Sequence, residues 1–153
     1  MIANSTFSEN SETNGSGILN EHSGSIITLT NSIIANSLTG FDCYNSGSTI
    51  IDGGFNLIED GSCGFDVGGD PMLRPLQDNG GETYTHALLA LSPALDAGNC
   101  PDSSRDQRGS PRPVDISNIP NVTDACDIGA FEGQHDEIQL NVVYMPIVLK
   151  PIP

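Results

Sequence analysis

Apolar residues in this chain come in short runs separated by Asn, Ser, Thr and Gly, and two of those runs share a pattern. Residues 1–10 read MIANSTFSEN and residues 28–36 read TLTNSIIAN. Aligning Asn4 with Asn31 sets an offset of 27 residues (31 − 4). Ile2 then meets Leu29, Ser5 meets Ser32 and Phe7 meets Ile34, giving apolar-x-Asn-Ser-x-apolar twice. The period suits one turn of a stacked parallel β structure, in which each turn holds short strands separated by bends. Successive turns would lie about 4.8 Å apart, with inward side chains forming apolar columns. The two apolar positions of the motif are five apart (7 − 2), so a straight strand would place them on opposite faces. A bend at the intervening Asn returns both to the inside. Asn tolerates the left-handed region and can hydrogen-bond to its copy in the next turn.

The same reading extends along the chain. Asn14-Gly15 and Ser16-Gly17 are turn signals, with Ile18-Leu19 as a short strand core. A third, degenerate turn is predicted over Ser48 to Ile58, interrupted at Gly53-Gly54. Residues 59–82 carry Gly61, Gly64, Gly68, Gly69, Pro71 and Pro75 and read as loop, with Leu73 and Leu76 pinning it over the last turn. Thr83 to Leu89 alternates enough to predict a strand. SPALDAGN reads as a turn with Gly98 at positive φ, and Ile128, Ala130 and Phe131 as a short returning strand. HDEIQLN reads as a linker, and VVYMPIVLKPIP as an apolar edge strand limited by Pro146. The organisation is therefore residues 1–77 as β turns and loop, 78–133 as a capping segment of the same domain, and 134–153 as a tail.

Composition sharpens this into an all-β expectation. Gly, Ser, Thr and Asn are abundant, Trp is absent, and helix-favouring runs are missing. The net charge is −15, from 20 acids against 5 bases, and no Lys or Arg precedes Arg74. That balance argues against nucleic acid and against an anionic membrane surface, both of which need clustered bases. No apolar run reaches the roughly 18 residues of a membrane span, and no signal peptide is visible.

Four cysteines point to two disulfides and an oxidising compartment, hence an extracellular or cell-surface setting. Three connectivities exist. Cys43 with Cys63 and Cys100 with Cys126 is favoured, because the shorter loops close at lower entropic cost. Zinc is the competing reading, and no Cys-x-x-Cys or His-x-x-x-His pair supports it. With cysteines but no signal peptide, the chain reads as the C-terminal piece of a longer exported protein. An open stack end at Met1 would then favour self-association.

Residues 78–132 hold Arg105, Arg108 and Arg112, two cysteines and many acids. The order DNGG, T-x-THALL, SPALDAG, C, DQRG-x-x-RP, CDIGAFE resembles the choice-of-anchor Q domain, over roughly residues 1–133. That resemblance implies the C-terminal end of a right-handed parallel β-helix, pectin-lyase-like in shape, on an exported bacterial surface protein. It brings no enzymatic activity with it. Read physically, such an end needs covering, since it exposes unpaired backbone and an open core. A disulfide-locked, Pro-rich segment with internal ion pairs would serve. Arg108 and Arg112 can fork onto carboxylates, with Asp96, Asp106, Asp127 and Glu132 as candidate partners.

Catalysis is the weaker reading. Hydrolytic β-helices need carboxylates roughly 5 to 9.5 Å apart, and lyases of this shape need a base. The acids of the stacked turns (Glu9, Glu12, Glu21, Asp42 and Asp52) share no position in the repeat, and no Lys or Arg lies among those turns. His86, Ser92 and Asp96 make a tempting trio, but Ser92 precedes a proline and lacks a Gly-x-Ser-x-Gly setting. Asp60, Asp66 and Asp70 in a Gly-rich loop are weak Ca²⁺ candidates, against a plainly solvated acidic loop. The function expected is therefore a structural or binding module whose partners are an extracellular polysaccharide or another surface protein. The alternative is a piece of a carbohydrate-active lyase or hydrolase whose catalytic turns lie upstream.

Overall fold

The computed structural model describes residues 1–65 and 68–139. Three passes of the chain supply its strands. The first carries β1 (Ile2–Ala3), β2 (Thr6–Ser8) and β3 (Ser11–Asn20). The second carries β4 (Ile26–Thr30), β5 (Ile33–Ala35) and β6 (Thr39–Asn45), and the third β7 (Thr49–Asp52) and β8 (Leu57–Ile58). They form three parallel sheets ordered β1-β4-β7, β2-β5-β8 and β3-β6, so each sheet takes one strand from each pass it includes.

The register is the one the repeat predicts. Ile2 pairs with Leu29 and Phe7 with Ile34. Asn4 and Asn31 both sit in the left-handed region, at φ 48° and 47°. Asn31 Nδ2 donates to Asn4 Oδ1 at 2.8 Å. The third pass is shorter. Leu29 now pairs with Asp52, an offset of 23 (52 − 29), so the column begun by Ile2 ends on a carboxylate. Gly54 takes the left-handed turn, at φ 97°. Ile51 is turned outward, while Ile58 continues the Phe7–Ile34 column.

Alternation divides the apolar residues between two cores. Ile18, Leu29, Ile34, Cys43 and Ile58 draw on all three sheets and pack together, with Ile2, Phe7, Cys63 and Phe65 against them. This is the inner core. Their neighbours Ile33, Ala35 and Leu57 point the other way, out of the β2-β5-β8 sheet. They would face water if residues 71–139 did not pack there, contributing Leu88, Ala94, Leu95, Ile116, Ile128, Phe131 and Ile138 to a second, outer core.

That division changes the expected place of the capping segment. Residues 59–65, rather than 78–133, lie against the edge of β6 and the inner core. Asp42 N donates to Asp60 Oδ2 and Asp60 N to Asp42 Oδ2, each at 3.1 Å. Cys43 N donates to Ser62 Oγ, and Cys43–Cys63 is bonded. Residues 78–133 brace the flank of the stack. The reason is the apolar outer face of β5 and β8, which demands cover along its length.

Four local expectations fail for identifiable reasons. Thr83 to Leu89 makes isolated antiparallel bridges, Gln77 with Thr85 and Leu73 with Leu88. Pro75 has no N–H to continue a ladder between them. Ile128 to Phe131 is no strand, because Ile128 N, Gly129 N and Ala130 N donate to three different segments, at Ala94 O, Asn31 O and Thr6 Oγ1. Leu73 packs against the outer core, but Leu76 is exposed. The start of the expected linker is a helical turn, α1 (His135–Gln139), with Ile138 buried. Gln134 N donates to Glu137 Oε2 at 3.0 Å, a carboxylate reaching back to the helix start. The expected apolar strand of the tail lies outside the described residues.

Candidate functional site: a buried ionic brace

Arg112, Asp96, Asp127 and Glu132 are almost wholly buried, and Asp106 is 7 % exposed. Local turns deliver them. Asp96 sits at φ 52°, in the position the sequence assigns to Gly98. Gly98 is needed for a different reason: an added Cβ would collide with Asn31 Oδ1 and lie 2.8 Å from the Cys126 and Asp127 carbonyls. Its role is close approach.

Each arginine binds more than one segment. Arg108 Nε meets Asp106 Oδ2 at 2.8 Å and Nη1 meets Glu137 Oε1 at 2.6 Å. Its Nη2 donates to the Glu132 carbonyl at 2.7 Å, and its guanidinium lies 3.7 Å above the Phe131 ring. Arg112 Nε meets Glu132 Oε2 at 3.0 Å, and its Nη2 donates to the carbonyls of Asp127 and Gly129. Arg112 Nε also lies 3.0 Å from Cys126 Sγ, within the Cys100–Cys126 disulfide.

The carboxylates serve the backbone. Asp106 accepts from the N–H groups of Arg108, Ser110 and Glu132. Asp127 accepts from Asp96 N at 2.8 Å and Gly133 N at 2.6 Å. Glu132 accepts from Val114 N and Asp127 N, and Asp96 from Ile116 N. In a region with little regular structure, these side chains satisfy N–H groups that a ladder would otherwise pair.

Asp96, Asp106, Asp127 and Glu132 share two arginines. The two carboxylates without a guanidinium in contact among the described residues are pushed up strongly. Burial raises Asp96 to about 6, with Asp115 adding to it and the Ile116 N–H opposing. Burial, then the Glu132 charge, raises Asp127 to about 8, against the Gly133 and Asp96 N–H groups. Glu132 is raised by burial, and its N–H donors and Arg112 hold it back. Burial lowers Arg112, and the surrounding carboxylates restrain that shift.

Three cavities, of about 360, 280 and 310 Å³, are lined by residues other than these four carboxylates and two arginines, although Phe131 and Glu137, which touch Arg108, line the first.

The remaining candidates are placed as follows. His86 Nδ1 lies 2.8 Å from the Arg74 carbonyl, and Ser92 Oγ donates to Pro71 O at 2.6 Å. Neither bonds the other or Asp96, so the trio is three separate packing residues. Asp60 accepts from Ser62 N and Asp42 N; burial acts to raise it, and the hydrogen bonds from Ser62 and Asp42 outweigh that and lower it. Asp70 Oδ1 accepts from Met72 N. Asp66 lies outside the described residues. Among those residues the one cluster with metal-like spacing is Cys100, Asp124 and Cys126, whose sulfurs are already bonded to each other. Asp124 accepts from Cys100 N and Cys126 N and braces that disulfide.

Asn31 is the residue whose reach the repeat does not reveal. It is 1 % exposed, donates to Asp127 O at 3.1 Å and accepts from Asn99 N at 3.0 Å. It thus ties the stacked strands to the brace, across 96 and 68 residues of chain. Glu137 had a legible signal, the acid three residues after Gln134. Comparison with protein families, curated proteins and solved structures finds no match to this chain.

Proposed function

We propose that the chain is a non-catalytic structural or binding module, the C-terminal end of a right-handed parallel β-helix carried on an exported bacterial protein of the choice-of-anchor Q type. The observation that supports this reading is the internal use of charge in residues 78–132: Arg108, Arg112, Asp96, Asp106, Asp127 and Glu132 bind backbone or one another. A catalytic cluster would keep a polar group aimed at a cavity. Handedness follows from the general preference of parallel crossovers, right-handed in about 98 % of cases. Two disulfides suit an oxidising compartment, and no helix among the described residues is long and apolar enough to cross a membrane. The partners of such a module are an extracellular polysaccharide or another surface protein.

Two measurements test it. Incubation with a polysaccharide panel is expected to release neither reducing ends nor unsaturated products. Thermal unfolding, followed by far-ultraviolet circular dichroism for the strands and by tyrosine fluorescence of a Tyr44→Phe, Tyr144→Phe chain for Tyr84 in residues 71–139, is expected to give one shared transition. Product release, or two separate transitions, overturns the reading.

A further inference from the structure

On a chain of net charge −15, the cavity between the outward face of β2 and residues 76–86 stands out for carrying no Asp, Glu, Lys or Arg in its lining. Its volume is about 280 Å³, at the lower edge of the roughly 300–1,000 Å³ of small-molecule sites. Tyr84 and Leu76, 63 % and 53 % exposed, give it an apolar wall. The lining also includes hydroxyl and amide side chains: Thr6, Ser8, Asn10 and Gln107.

Those polar groups have hydrogen-bonding capacity left over. No side-chain hydrogen bond of the Tyr84 hydroxyl or the Asn10 carboxamide occurs among the described residues. Thr6 Oγ1 accepts from Ala130 N at 3.1 Å, which leaves its own proton to donate. Ser8 Oγ accepts from Asn36 Nδ2 at 3.2 Å, with the same consequence. Gln107 Nε2 donates to Thr83 Oγ1 at 2.8 Å, leaving its carbonyl oxygen to accept. In the neutral His86 ring, Nδ1 donates to the Arg74 carbonyl and Nε2 is left as an acceptor.

We infer that this cavity binds a neutral saccharide. An anionic ligand would meet no base in the lining and a strongly acidic chain around it. A cationic ligand would find no carboxylate in the lining. A purely apolar ligand would strand the free donors and acceptors of Thr6, Ser8, Asn10 and Gln107. A sugar ring presents an apolar C–H face to an exposed tyrosine and a rim of uncharged hydroxyls to neutral donors and acceptors. The site needs no particular answer to the structural role proposed above.

The test titrates the full chain with cellohexaose, xylohexaose, mannohexaose and maltohexaose, and with tetragalacturonate as the anionic comparison. Calorimetry and tyrosine fluorescence are the readouts, the latter free of tryptophan background. At least one neutral hexasaccharide is expected to bind more tightly than tetragalacturonate. Tyr84→Ala is expected to weaken that binding about tenfold or more with an unchanged melting temperature. Gln107→Ala, which keeps its backbone bond to Ala130, provides a second variant and is expected to weaken binding less. Failure of all four neutral probes to bind, tighter binding of tetragalacturonate, or unchanged binding in both variants overturns the inference.

Discussion

Residues 1–58 and residues 71–139 solve the same problem by different means. In the first region, strands stack in parallel and the backbone pairs with itself, so a short repeated motif suffices. In the second, the described backbone has one five-residue helix and isolated bridges. There the side chains of Asp96, Asp106, Asp127, Glu132, Arg108 and Arg112 replace the ladder. The lesson is about tolerance. A ladder averages over many equivalent bonds, whereas a network of unlike groups depends on each member.

The contrast should break most sharply at Arg112. Arg112→Met leaves Glu132 buried without its cation and the Gly129 carbonyl without its side-chain donor, while the Asp127 carbonyl keeps only Asn31. A loss of about 3–5 kcal/mol is expected, read as a lower urea midpoint. Replacing Cys100 and Cys126 together by Ser opens a loop with sequence separation 26. That should cost about 2–4 kcal/mol, and reductant should no longer affect the remaining stability contributed by this loop.

Asn31→Ala tests the joint between the regions, since it removes bonds to Asn4, Asn99 and Asp127 at once. About 1–3 kcal/mol is expected. Hydrogen exchange should quicken at the Asn99 and Gly129 amides more than inside β4.

A separate test of the brace is the dependence on pH. Asp96 and Asp127 are raised in the fold above the ordinary 3.8, to about 6 and about 8. Between those limits the folded chain holds protons that the unfolded chain releases, so stability falls as pH rises. It is fullest near pH 4 and levels off above about pH 8, while Asp60, lowered in the fold, opposes this trend only in more acid solution. A urea midpoint that moves downward from pH 4 to pH 8 is expected, and Asp127→Asn should flatten the upper part of that slope.

The legibility of the two regions differs for the same reason as their construction. Ile2 over Leu29, Phe7 over Ile34 and the left-handed Asn pair follow from spacing alone, because stacking turns sequence periodicity directly into neighbours. Both disulfides were reachable through loop closure. Glu137 was readable only as a helix start, and its contact with Arg108 depends on how α1 docks.

By itself the sequence determined an all-β, acidic, twice-bridged chain with parallel strands repeating every 27 residues between its first two passes. Tertiary structure alone decided that residues 59–65 cover the inner core while residues 71–139 brace the flank, and which carboxylate each arginine takes. Periodicity encodes contacts between equivalent positions. It carries no information about a face such as Ile33 and Leu57, whose apolar character says that something covers it and leaves the identity of the cover to packing.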